Sequence, residues 1–299
     1  MSKKILAIYY TQSGQLGQIV DNFTSLFTAA GVSVEKVNVQ LERAFDFPWT
    51  AKCFFDAMPE SVLGIPSELT PFELKEDSYD LIIFAYQPWY LAPSIAANSI
   101  LNHPKFRAIV KNTPVVTVVG ARNMWLKAQE RVKNMLHQFE ANLVGNIVLV
   151  DKNSNLTSGV TILYWMLTGK KDKMWGVFPK PGVAAEDIAN VTLFGNTVLQ
   201  YLNNGNWAAL QPALIEQKAL EVKTNLMFIE PRATKLFAIW ANFIIKRKNR
   251  AAWLVVFKYY LFIALFIIAP VVLIINTLLF KPFLSKSISK KKQYYLAVN

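Results

Sequence analysis

The chain is poor in the residues that commonly carry chemistry. Among 299 residues there is one cysteine, Cys53, and there are two histidines, His103 and His137. A single cysteine cannot close an intrachain disulfide, which points to a reducing compartment. The histidines lie far apart in sequence, without acidic or thiol partners at ligand spacing, so no residue is assigned to a metal. The 12 glycines build neither a GxGxxG dinucleotide loop nor the GxxxxGK[ST] loop of nucleoside triphosphate enzymes. Acidic residues are missing altogether after Glu230, although 12 of the 32 basic residues lie beyond it. The first 230 residues therefore balance 20 basic against 20 acidic side chains, and the net charge of +12 belongs to the tail. There it surrounds an apolar segment, a pattern that attracts anionic lipid, and no nucleic-acid partner is expected.

What is present is an alternation of strands and helices. Apolar, β-branched runs predict strands over 5–10, 32–39, 81–86, 115–119 and 143–150. Between them, 17–30 places Ile19, Phe23, Leu26 and Phe27 on one helical face, and 124–141 does the same with Val132, Met135, Leu136 and Phe139. Continuous apolar strands separated by helices imply a parallel sheet covered on both faces. The expected architecture is an α/β, doubly wound, five-stranded parallel sheet of order 2-1-3-4-5, whose ligand lies beyond the carboxyl ends of the strands at the switch point. The expected organisation is a domain over 1–205 with insertions at 40–79 and 151–188, an amphipathic helical linker over 206–250, and a membrane anchor with a basic tail over 251–299.

The loops after strands one, three and four should then hold the ligand. After strand one, Tyr10-Thr11-Gln12-Ser13-Gly14-Gln15 is a tight polar loop running into a helix N-terminus, an arrangement suited to a phosphate. This loop resembles that of the flavodoxin-like family, which holds the phosphate of FMN, except that Leu16 stands where the family closes the loop with a hydroxyl residue. After strand three, Gln87-Pro88-Trp89-Tyr90 offers two large aromatics between prolines, similar to the flavin platform of flavodoxin-like quinone reductases. After strand four, Gly120, Arg122, Asn123 and Trp125 form a turn in which Asn123 is a natural N-cap and Arg122 a cation to tune a bound flavin. The cofactor candidates are thus Thr11, Gln12, Ser13, Gly14, Gln15, Leu16, Gln87, Pro88, Trp89, Tyr90, Gly120, Arg122, Asn123 and Trp125. Tyr90 and Arg122 are the only catalytic candidates. FMN is the expected cofactor, and NAD(P)H a further candidate.

Both insertions are rich in aromatic and aliphatic residues, suited to a lid or a channel for a greasy substrate. Residues 259–280 run through 22 positions without a charge, enough to cross a bilayer. They follow a candidate interfacial helix over 235–245 and a basic cluster over 246–250. Basic residues flank both ends, so a single crossing conflicts with the positive-inside tendency; Pro270 would allow a kinked or re-entrant path instead. Taken whole, with wording such as Gly120-Ala121-Arg122-Asn123-Met124-Trp125 and the basic apolar tail, the chain resembles the dialkylresorcinol condensing enzymes of flexirubin-type pigment synthesis. That resemblance implies a membrane-associated protein with its catalytic domain in the cytoplasm, acting on a lipid-like cyclic ketone and helping to aromatise it. It also implies a separate ketosynthase-type partner. The alternatives are a membrane-bound NAD(P)H-quinone-reductase-like or flavodoxin-type electron-transfer protein, and a non-catalytic membrane-tethered adaptor.

Overall fold

The structure is a computed structural model that describes residues 2–275 and 285–298. Five strands form its centre: β1 (Lys4–Tyr9), β2 (Ser33–Asn38), β3 (Leu81–Tyr86), β4 (Pro114–Ala121) and β5 (Asn142–Val150). They pair in parallel in the order β2-β1-β3-β4-β5. The fold is flavodoxin-like, as that order of a doubly wound sheet requires. Each strand lies within two residues of its expected position. In β3 every residue is buried, because helices cover both faces. At the edge, β2 half-buries Val34 and Val37 and buries one carboxylate, Glu35, which accepts the Tyr79 hydroxyl and the Lys75 amide.

Helix α1 (Gln15–Ala29) begins two residues before its expected start, directly after Gly14, whose φ of 81° turns the chain into the helix. The first insertion carries α2 (Ala51–Asp56) and α3 (Met58–Leu63). After β3 come α4 (Ile95–Asn102) and α5 (Pro104–Val110), and after β4 comes α6 (Leu126–Gln138). The second insertion is α7 (Asn155–Thr168) and a loop through a 3-10 turn at Met174–Gly176. The helices α8 (Ala185–Asn204), lying along α1, and α9 (Leu210–Glu216) complete the α/β layers.

The C-terminal third folds back over the sheet's ligand end. Helix α10 (Thr224–Ile245) packs on α3 and α6. Then α11 (Arg250–Ile263), a π-helical turn (Ala264–Ile268) and α12 (Ala269–Ile275) form a continuous helix of 26 residues whose most apolar 18-residue stretch has mean hydropathy 2.4, long and apolar enough to cross a membrane. Residues 276–280 of the expected apolar run lie outside the described residues. The chain is described again in α13 (Ser285–Leu296). A second apolar cluster, separate from the sheet's core, joins Phe55, Met58 and Val62 to Phe237, Ala241, Ile244, Leu254 and Phe257. Burying a side chain such as Phe257 is worth about 1.5–3 kcal/mol, so this cluster fixes α10 and α11 against the first insertion.

Candidate functional site

The loops after β1, β3 and β4 meet around a cavity of about 340 Å³, within the usual range for small-molecule sites of about 300–1,000 Å³. Its floor comes from these loops: Gln12, Ser13, Gln15 and Leu16, then Gln87, Pro88, Trp89 and Tyr90, then Gly120 and Arg122. These ten sequence candidates come together. Thr11, Gly14, Asn123 and Trp125 do not line the cavity. Thr11 Oγ1 accepts the Gly17 amide at 3.3 Å and Gly14 sets the turn. Asn123 Nδ2 donates to Asn155 Oδ1 at 2.7 Å. Trp125 is fully buried in the core.

The polar residues of the first loop divide between two tasks. Gln12 Nε2 donates to the carbonyls of Phe45 (2.8 Å) and Asp46 (3.2 Å), while its Oε1 accepts from the Tyr10 hydroxyl. Gln15 bonds both backbone groups of Val183. Gln12 and Gln15 therefore fasten the two insertions over the loop instead of presenting amides to a ligand. What remains for an anion is the N-terminus of α1, where the N-cap Gly14 offers no side chain, Thr11 takes only the Gly17 amide and the first turn holds no acid, together with the Ser13 hydroxyl, which has no protein partner among the described residues. Leu16 is buried beside Gly120, where a β-carbon would stand 3.2 Å from Leu16 Cδ1. The departure from the family loop is thus matched by close packing between the first and third site loops.

After β3 the chain makes a two-residue hairpin, Pro88–Trp89 against Ala92–Pro93, with Tyr90 (φ 51°) and Leu91 (φ 63°) both left-handed at its tip. Non-glycine residues in that region store strain, a common property of sites. The hairpin sets the Trp89 ring edge-on to Trp49, with centroids 4.9 Å apart, and to Phe45 at 5.3 Å. The Tyr90 hydroxyl donates to the Phe54 carbonyl at 2.5 Å, and burial raises its pKa well above the ordinary value. Both facts oppose a catalytic role for Tyr90, one of the two candidates, and make it an anchor of the first insertion.

Arg122 sits among Asn155 O (2.8 Å) and Ser158 Oγ (3.2 Å), both bonded by Nη1. Its Nε and Nη2 have no protein partner among the described residues. Burial pulls its pKa down to about 10, opposed by Asp151 and Glu230, so it remains a cation at neutral pH. Two more donors line the cavity: Trp49 Nε1, on a residue only 4% exposed, and Gln87 Nε2 are buried without a partner among the described residues. Unpaired buried donors cost free energy unless a ligand accepts from them. The donor set, the remaining free amides of a helix N-terminus followed by a guanidinium and two unpaired N–H groups beside aromatic rings, suits a phosphate ester carrying a flat, acceptor-rich ring.

The roof is apolar. Ile162, Leu163 and Met166 of α7, Ile229, Ala233 and Phe237 of α10, and Leu261, Ala264, Leu265 and Ala269 of the C-terminal helix close over the floor. The insertions also join one another, through Trp49 N donating to Met166 O at 2.8 Å and Phe47 lying edge-on to Trp165. Trp49, Gly159, Trp165 and Gly182 line the cavity but escaped sequence reasoning, as did the supporting carboxylates Asp151 and Glu230. Asp151 accepts the Asn153 and Gly182 amides and so places the loop that Gln15 grips. Glu230, wholly buried, accepts the amides of Trp125 (3.2 Å) and Lys127 (3.1 Å) and caps α6 in place of Asn123. Desolvation pushes its pKa up to about 8 against the opposing effect of these amides. A lone acid on the apolar stripe Leu226, Met227, Ile229 was its sequence signal. Among the described residues no group of His, Cys, Asp and Glu is placed to hold a metal.

No family model and no curated protein matches the chain. Solved structures do. A flavoprotein in complex with FMN from Lactobacillus acidophilus NCFM is 15% identical, with 49% of this chain and 93% of that chain covered and a TM-score of 0.41. A flavodoxin from the domain Archaea is 8% identical over 67% of this chain and 99% of that chain, TM-score 0.37. Oxidised flavodoxin 1 from Bacillus cereus is 13% identical over 66% and 98%, TM-score 0.35. The fold itself rests on the chain's own strand order.

Proposed function

We propose that this protein is a membrane-associated, FMN-dependent oxidoreductase that aromatises a lipid-like cyclic ketone to a dialkylresorcinol. The observation that carries the reading is the roofed cavity at the switch point, polar on its floor and apolar above. FMN fits the floor: its phosphate would take the N-terminus of α1 and the Ser13 hydroxyl, and its ring acceptors would take Arg122, Trp49 Nε1 and Gln87 Nε2. Bound there, FMN would accept two electrons and a proton from a saturated ring carbon and pass the electrons to an external acceptor of the pyridine-nucleotide or quinone class. Arg122 would stabilise negative charge on a ring oxygen, and the roof would take the alkyl chains. The second proton leaves to water as the ring enolises, a step driven by aromaticity. An electron carrier needs an exposed flavin edge for docking, and the roof of α7, α10 and the C-terminal helix argues against that alternative. A ketosynthase-type protein would supply the cyclic substrate on the cytoplasmic side.

The test is the visible absorption spectrum of the detergent-purified protein, with acid release of any chromophore for mass identification. Flavin bands, released FMN and anaerobic bleaching by a long-chain cyclohexenone are expected. A colourless protein that takes up no added FMN overturns the reading.

A further inference from the structure

We propose that the helix Arg250–Ile275 does not cross the bilayer but lies in its surface plane, roofing the cavity with one face and entering an anionic leaflet with the other. This rests on the membrane association proposed above and assigns its geometry and its lipid partner. The first argument is that both ends of the helix are tied to the same domain. At its start, the Arg250 guanidinium grips Glu60 through two bonds of 2.5 and 2.6 Å and stands 3.0 Å from Asp56. Beyond it, α13 returns to the α/β body: Gln211 Nε2 donates to Leu296 O at 2.7 Å, and Tyr295, Leu296 and Val298 pack against the main core. One crossing would hold residues 285–298 on the far side of about 30 Å of hydrocarbon, away from Gln211.

The second argument is the contact along the helix's length. Leu254 and Phe257 are buried against the first insertion, Leu261, Leu265 and Ala269 line the cavity, and Leu273 packs against the core. A membrane-spanning helix would have to leave the domain along this whole face. The opposite face carries Val255, Tyr259, Ile263, Ile267, Val271 and Ile274, all exposed and spaced three or four residues apart. A stripe of that length is not stable in water and calls for a cover.

Charge identifies the cover. Lys246, Arg247 and Lys248 precede the helix, Lys290, Lys291 and Lys292 follow it in α13, and no acid lies beyond Glu230. An in-plane helix brings both basic clusters to one leaflet, which removes the conflict that a single crossing creates. Helix α7 packs on the same helix at Gly159, beside Leu265. The loop that follows α7 exposes Trp175 (78%) and Val177 (84%) among Lys170, Lys171 and Lys173, a second lysine-ringed apolar contact.

The test uses full-length protein with cysteines as reporters. In sealed vesicles of one orientation, native Cys53, which is exposed, and Ser289→Cys in a Cys53→Ser background are treated with an impermeant maleimide. Labelling of both from the same side is expected. Ser289→Cys reacting only from the opposite side overturns the proposal while leaving membrane association intact. Spin labels at Ile263→Cys and Val271→Cys, on the exposed face, should both report shallow depths of about 5–10 Å; a depth increasing steeply toward Pro270 marks a re-entrant hairpin and also overturns it. Failure to float with vesicles containing anionic lipid overturns both this proposal and the membrane reading beneath it.

Discussion

Gln15 and Val183 are joined by a pair of bonds, Oε1 accepting the Val183 amide and Nε2 donating to its carbonyl, each at 3.1 Å. The pair ties the first turn of α1 to the second insertion across 168 residues of sequence, and Gly182 beside it makes the approach possible. A β-carbon on Gly182 would lie 2.7 Å from the Trp165 ring, and its φ is 81°. Two neutral hydrogen bonds contribute roughly 1–3 kcal/mol. Gln15→Ala should lower stability by about that amount and speed proteolysis in the loop over 169–183, read by limited digestion. A variant digested at the wild-type rate would show that the pair does not hold the loop.

Trp49→Phe should act with opposite signs on stability and on binding. The substitution keeps an aromatic ring beside Phe45, whose plane is stacked on it with centroids 5.1 Å apart, but removes a buried donor that no described residue accepts. The free protein should be as stable or gain up to about 1 kcal/mol, offset by lost ring packing, while flavin affinity drops by roughly 0.5–1.5 kcal/mol. Thermal melts and titration with FMN measure the two separately. Equal loss in both would indicate a packing role alone.

Arg122→Gln should weaken flavin binding by about 1.5–3 kcal/mol, the value of a charge-assisted hydrogen bond, or roughly 10- to 150-fold. It should also shift the potential of the bound flavin to more negative values, because a cation that favours the reduced, negatively charged form has gone. Spectroelectrochemical titration reads this shift, and an unchanged potential would place Arg122 away from the ring.

Glu230 gives a pH signature. Its carboxyl is raised from an ordinary value of 4.5 to about 8 in the fold, so between those values the folded protein holds a proton that the unfolded chain has released. Stability contributed by this group is full below about pH 4.5 and falls as pH rises toward 8, by at most about 1.4 kcal/mol per unit. Glu230→Gln removes the titration and keeps an acceptor for one of the two amides, which Glu230 takes on separate oxygens. Its melting temperature should therefore decline less than that of the wild type between pH 5 and pH 8, and parallel declines would refute the assignment.

The sheet was legible because its strands are continuous apolar runs, and strand order then located the loops at Ser13, Trp89 and Arg122. The roof was not legible in the same way. Glu230 caps α6 from 105 residues away, and nothing local to Asn123 reveals that its capping role has been taken. Trp125 was read as a site residue from its loop, yet its ring turns into the core as α6 begins. The polar pattern of Gln12 and Gln15 announced hydrogen bonding correctly but not its partners, since these are carbonyls and amides of distant insertions. Uniform apolarity over 259–280 could not separate a crossing from an in-plane helix, because periodicity carries no information when every face is greasy.

The split of charge along the chain has a mechanical consequence. With residues 1–230 balanced and twelve positive charges in the remainder, the molecule has an electrically silent body and a strongly positive end. An anionic surface therefore exerts a torque on it as well as a pull, felt once the tail comes within a Debye length of about 8 Å at physiological salt. The protein would be turned before it touches, so that the side bearing the cavity's roof arrives first.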